Sequence, residues 1–217
     1  MNRMFIGLVL AVALSFLPCR AGCAEIPEHL LYLGILYDVT GSVRSLPVLT
    51  EAQLEKIIKV LSLRGGSLAF TVIDERADKP LARLTLVRVS GRLDERARKK
   101  VKNDEAVTVF KDQVRPALLR ARDASQTDFY GPVAKINLFL TEPVIPKGAR
   151  KALLIISDGI HTFPKNKQVK PPTPDVSVLV IGIEEELARK FFKDRVSLFE
   201  SIDSAIEALT TIDKGGL

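Results

Sequence analysis

Apolar residues fall in short dense runs separated by polar, helix-forming stretches. Leu30–Tyr37 is apolar on both faces and stops at Asp38, the pattern of a strand buried on both sides of a parallel sheet. Thr50 stands three residues before Gln53, a capping-box spacing, and Leu54, Ile57, Ile58 and Leu61 then recur at i, i+3, i+4 and i+7. An amphipathic helix therefore follows the strand. Ser67–Asp74 and Leu81–Val89 read as strands joined by Glu75–Pro80, a link too short for a crossover helix, which predicts an antiparallel hairpin. In its second arm Leu84, Leu86 and Arg88 alternate with Thr85, Val87 and Val89, as on an edge strand.

From Leu93 to Arg122 the chain is rich in Glu, Lys, Arg and Ala, and Pro116 is expected to split this region near Arg115 into two helices. Gly131-Pro132 opens another helix. Ala152–Ile156 and Val176–Ile183 are β-branched apolar runs and read as buried strands, with helical signals at Glu184–Lys193 and a short last strand at Val196–Phe199. A final helix starts at Ser201, and Ile202, Ala205, Ile206 and Leu209 give it one apolar face. Lys165–Pro174 is a loop. Strands and helices alternating in this order predict a three-layer α/β/α sandwich, Rossmann-like, with a mostly parallel sheet and one antiparallel edge strand. In such sheets ligands gather at the carboxyl ends of the central strands.

At 217 residues, 47% of them apolar and 27% charged, the chain has the make-up of one folded domain. Its first 24 residues belong to another class. Arg3 precedes an almost wholly apolar Phe5–Leu17, and the stretch Pro18–Ala24 ends in small residues, which reads as a cleaved secretory signal. The domain would then occupy 25–217, exported to the periplasm or beyond. The apolar run is cut by Pro18 and Arg20 before it reaches the roughly 20 residues of a spanning helix, and a retained signal anchor is the alternative. Cleavage after Ala24 removes both cysteines, Cys19 and Cys23, and leaves a fold that relies on its core. Cleavage before Cys23 would instead give a lipoprotein. Ala21-Gly22-Cys23 suits that route, while Arg20 sits where a lipobox carries an aliphatic residue. Contact with a membrane is expected only through that lipid.

Formal charge is +6, from 32 basic and 26 acidic residues, and +4 without Arg3 and Arg20. Between Arg92 and Arg122 ten basic residues face five acidic ones, so this segment accounts for the excess. The remainder is close to neutral, and nucleic acid is not an expected partner. The segment 92–122 is either a solvated helix face or a docking surface for something acidic.

Chemistry concentrates at the predicted strand ends. Asp38-Val39-Thr40-Gly41-Ser42 follows the first strand, Ser157-Asp158-Gly159 follows the strand Ala152–Ile156, and Gln126-Thr127-Asp128 precedes the helix at Gly131. Carboxylates and hydroxyls from three loops, with no His or Cys, form an oxygen-only set, which selects Mg²⁺, Mn²⁺ or Ca²⁺ over zinc or copper. The same residues also have a plainer use: Asp38 and Asp158 as loop caps, Thr127 as a helix cap, Ser42 in a turn.

The run "LYLGILYDVTGSV" resembles the opening strand and first metal loop of a von Willebrand factor type A domain. That family's metal-ion-dependent adhesion site, or MIDAS, has the pattern Asp-x-Ser-x-Ser. "QTDFYGPVAKINLFL" is similar to its threonine-bearing second loop and following helix, and "ALLIISDG" to its third loop, in the family's order. The resemblance implies metal residues at Asp38, Thr40, Ser42, Thr127 and Asp158. It also implies a divalent cation, Mg²⁺ or else Mn²⁺ or Ca²⁺, whose open position takes an Asp or Glu carboxylate from a protein ligand. Thr40 departs from the family's serine but keeps the hydroxyl.

Asp128 is expected to bond the start of its helix rather than join the site, His161 to be a surface histidine, and His29, just before the first strand, to have no chemical companion. The loop 159–175, with Lys165, Lys167 and Lys170, is either part of a partner-facing rim or a solvated loop. Two further functions compete. A Mg-dependent hydrolase of the haloacid-dehalogenase type would need a second acid where Thr40 stands, and no Gly-x-Ser-x-Gly elbow or phosphate loop is present. A scaffold protein with a vestigial metal site would bind through 92–122.

Overall fold

The computed structural model describes residues 30–75, 80–162 and 175–212. The signal segment, both cysteines, His29 and the three lysines of the 159–175 loop lie outside them. The elements run β1 (Leu31–Asp38), α1 (Glu51–Arg64), β2 (Gly66–Ile73), β3 (Ala82–Leu86), α2 (Leu93–Leu118), α3 (Tyr130–Leu140), β4 (Arg150–Ile156), β5 (Val176–Ile181), α4 (Glu185–Phe192), β6 (Val196–Leu198) and α5 (Ile202–Thr211).

Six strands form one sheet in the order β3-β2-β1-β4-β5-β6, parallel throughout except for β3, which pairs antiparallel with β2 at one edge. Alternation along β1 splits the core. Leu33, Ile35 and Tyr37 pack with α1, α2 and α5, whereas Leu36 packs with α3 and α4 on the other face. Both faces are thus covered, which is why β1 and β4 read as unbroken apolar runs. Gly34 lies where α3 comes closest to the sheet: a Cβ there would collide with the Ile136 side chain.

The elements follow local chemistry. Thr50 and Gln53 form both bonds of the capping box at the start of α1, and the Ser201 hydroxyl accepts from the Ser204 N–H to cap α5. Asp203 at the start of α5 ties it to Lys56 and Gln53 of α1.

Two expectations are corrected. Pro116 does not split the helix: α2 runs unbroken for 26 residues with Pro116 in its last turn. A proline there removes one helical hydrogen bond and places its ring against a single carbonyl, two residues before the helix ends anyway. Leu119 N–H still reaches Arg115 O at 3.1 Å. The hairpin's second arm is shorter than Leu81–Val89, because the side-chain amide of Asn103 on α2 takes both the N–H and the C=O of Val87, at 3.1 and 2.8 Å. A side chain substitutes for the next rung of the ladder.

Candidate metal centre

β1 has β2 on one side and β4 on the other, so chain connections leave it in opposite directions. The crevice beyond the carboxyl ends of β1 and β4 is therefore the sheet's switch point, where ligands bind in open α/β folds. Asp38 ends β1, and Ser157 and Asp158 directly follow β4.

Asp38 is 0% exposed. Its Oδ1 accepts from the Thr40 N–H at 2.9 Å and the Thr40 hydroxyl at 2.6 Å, and its Oδ2 accepts from the Ser157 hydroxyl at 2.6 Å. The Ser42 hydroxyl lies 3.0 Å from that of Thr40. Burial pushes the Asp38 carboxyl above its ordinary value; the bonds from Ser157 and Thr40 oppose that rise, and the nearby Asp158 charge adds to it. Asp158 is fixed locally, its Oδ1 accepting from the Ile160 N–H at 2.9 Å. Gly159, at φ +73°, makes the turn that allows this.

The segment bearing Thr127 runs along the same edge. Ala124 forms a parallel bridge with Thr40 and its carbonyl accepts from the Gly41 N–H at 3.0 Å. The Asp128 N–H reaches the Asp74 carbonyl at the end of β2, at 2.8 Å. Thr127 is buried, and its backbone pairs with Thr162: its N–H donates to the Thr162 hydroxyl at 2.7 Å, and its carbonyl accepts from the Thr162 N–H at 3.1 Å. Its own hydroxyl has no hydrogen-bond partner among the described residues. Asp128 Oδ1 accepts from the Gly131 N–H at 3.0 Å, the helix-start bond expected of it.

His161 is half-buried rather than freely exposed. Its ring stacks on Tyr130, centroids 4.2 Å apart, and Nδ1 accepts from the Phe129 N–H at 3.3 Å. The ring packs against the start of α3, outside the oxygen cluster.

Several participants carry no recognisable signal in the sequence. Ser157 is adjacent to an expected ligand, yet its role as the hydroxyl that joins the two loops emerges only from pairing β1 with β4. Arg120 and Arg122, counted among the basic excess, are internal braces. Arg120 Nη1 donates to the buried Asp74 carboxylate at 2.7 Å. Arg122 donates to the carbonyls of Val43 and Leu46 at 2.7 Å and of Pro47 at 2.8 Å, with its guanidinium 5.2 Å from the centre of the Tyr37 ring. The Arg122 bonds staple the loop after β1 to the segment that leads to Thr127.

In its chemistry, an all-oxygen set of carboxylates and hydroxyls suits a hard divalent cation. Asp38 takes the hydroxyl protons of Thr40 and Ser157, so the Thr40 oxygen keeps lone pairs to offer, and one oxygen of Asp158 and the hydroxyl of Thr127 are uncommitted among the described residues. The set contains two carboxylates. Among the described residues no group of three or more His, Cys, Asp or Glu side chains is placed to hold a metal.

No family model matches this sequence, and no curated protein matches it. Among solved structures the chain is similar to manganese-loaded TRAP from Plasmodium vivax, at 15% identity over 85% of this chain and 73% of that one, with a TM-score of 0.46. It is also similar to proximal thread matrix protein 1 from the mussel byssus with a zinc-occupied MIDAS motif, at 13% identity and a TM-score of 0.41 over 85% of this chain and 46% of that one, less than half of the mussel chain's length. A third likeness is to BatB from Bacteroides thetaiotaomicron, at 11% identity, TM-score 0.45, covering 85% of this chain and 98% of that one.

Proposed function

We propose that this chain is an exported, von Willebrand A-like protein-binding module that holds a divalent cation with Asp38, Thr40, Ser42, Thr127 and Asp158 and uses it to capture a partner's Asp or Glu side chain, without catalysis. The observation that carries the reading is the Ser157–Asp38 bond, which holds the loops after β1 and β4 together at the switch point. It keeps a buried carboxylate within electrostatic reach of the Asp158 charge. Two like charges kept close at a sheet edge repel, and a cation between them converts that repulsion into attraction. When bound, the cation supplies a positive centre that an incoming carboxylate completes.

The chain's own residues orient and pin the donors. Asp38 fixes the direction of the Thr40 and Ser157 hydroxyl protons. Arg122 and the Thr40–Ala124 bridge keep the first loop from opening, and Thr162 fixes the backbone that presents Thr127.

A random peptide library displayed in Mg²⁺ tests the reading. Selected peptides should share an obligatory Asp or Glu, and binding should vanish with chelator, with Asp158→Ala, or when that acid is changed to its amide. Enriched peptides that bind equally well in chelator would defeat it.

A further inference from the structure

The opposite end of the sheet presents a second surface. Gly66, which opens β2, pairs there with Leu86 of β3. Eight residues of β2 separate that end from the metal centre, about 23 Å at the rise of a parallel strand. Between α1, the end of β3 and α2 lies a groove of about 620 Å³. Its apolar lining includes Ile58, Leu63, Leu86 and Val107, and Leu63 is 69% exposed. Alongside, the first ten residues of α2, Leu93–Lys102, contain no buried side chain. They form an arm about 15 Å long.

Charge around the groove has a basic excess. Lys59, Arg88 and Lys100 line it together with the acids Glu55 and Asp104. Several neighbouring cations are neutralised: Lys56 by Asp203, Lys99 by Glu95, Lys111 by Glu55 and Arg115 by Glu51. Among the described residues no ion pair engages Lys59, Arg88, Lys100 or the acid Asp104, and Glu55 is already taken by Lys111, so three cations face one uncommitted carboxylate. Three cations against one uncommitted carboxylate leave the rim of the apolar recess net positive. Low-dielectric walls strengthen their joint field toward an anion.

We infer that this groove docks an acidic segment of a partner protein, one that sets a large apolar side chain among carboxylates, independently of the metal centre. The apolar side chain covers Leu63 and its neighbours while the carboxylates meet Lys59, Arg88 and Lys100. Strand addition is blocked at Val87, whose N–H and C=O are already held by Asn103, so side chains carry the recognition. The recess is concave, which suits an inserted side chain better than a flat anionic bilayer.

The test is a random peptide library displayed against the full chain in chelator, which silences the cation site. Peptides combining Asp or Glu with Leu, Ile, Phe or Met should be enriched, and a synthesised winner should weaken about tenfold or more against Lys59→Glu/Arg88→Glu/Lys100→Glu and in high salt. Its binding should be unchanged by Asp158→Ala. The three cations are exposed, so the charge-reversed chain is expected to fold, with its melting curve as the check; Leu63→Asp gives a second variant that should also lose the peptide. No enrichment, or winners that bind the charge-reversed chain equally, overturns the inference. So does a chain that sediments with phosphatidylglycerol vesicles yet selects no peptide.

Discussion

The Ser157 hydroxyl donates to Asp38 Oδ2 at 2.6 Å across 119 residues of chain, while its oxygen accepts from the Gly159 N–H at 3.0 Å. One side chain thus joins the carboxyl end of β1 to the turn after β4. Ser157→Ala removes a hydrogen bond to a buried carboxylate and orphans the Gly159 donor. It should lower unfolding free energy by about 2 kcal/mol, measured by urea denaturation in chelator. A loss below about 0.5 kcal/mol, the ordinary effect of a surface change, would show that the bond does not hold the loops.

Asp38 makes a pH prediction. Burial raises its folded-state pKa above the unfolded value of about 3.9. A carboxyl raised in the folded state favours folding fully below the unfolded value, and that contribution is lost as pH rises through the folded value. In chelator, the stability of wild type minus that of Asp38→Asn should therefore fall as pH rises above the unfolded value of about 3.9, when both are followed by urea denaturation. Asparagine keeps an acceptor for Thr40 and carries no charge to bury. A difference that stays flat or grows with pH would contradict the assigned environment.

Arg122 is the brace of the first loop, with three carbonyl partners and the Tyr37 ring beneath it. Arg122→Ala should cost about 2 kcal/mol or more and speed amide hydrogen exchange at Gly41 and Leu46 without any metal present. Arg122→Lys should recover little, since an ammonium lacks the planar fork that reaches several carbonyls at once. Exchange rates equal to wild type in both variants would mean that the loop holds its shape unaided.

Much of the fold was legible because its signals are local or periodic. Thr50 with Gln53 marked the start of α1, Ser201 marked α5, and the unbroken apolar runs of β1 and β4 marked strands covered on both faces. The short link 75–80 required a hairpin, and β3 is the antiparallel edge. Pro116 misled because the cost of a proline depends on how many turns follow it, and in α2 almost none do. Val87 misled because a side-chain amide from a distant helix ended the strand. The strand-end carboxylates were visible from the sequence because each follows an apolar run, and the pairing of β1 with β4 brings those two strand ends side by side. Ser157, Arg120 and Arg122 were not visible, since a serine in a turn and two arginines in a basic stretch look the same whether solvated or enclosed. Their roles depend on contacts between segments tens of residues apart.

Titration with Mg²⁺, Mn²⁺ and Ca²⁺, followed by calorimetry and thermal unfolding for wild type and Asp158→Ala, bears most directly on the metal centre. At a cation concentration about 100 times Kd, wild type should gain roughly 2.7 kcal/mol of stability, seen as a raised midpoint with a matching binding isotherm, and Asp158→Ala should gain none. A wild-type midpoint that moves with none of the three cations, or that moves equally in Asp158→Ala, would contradict the account.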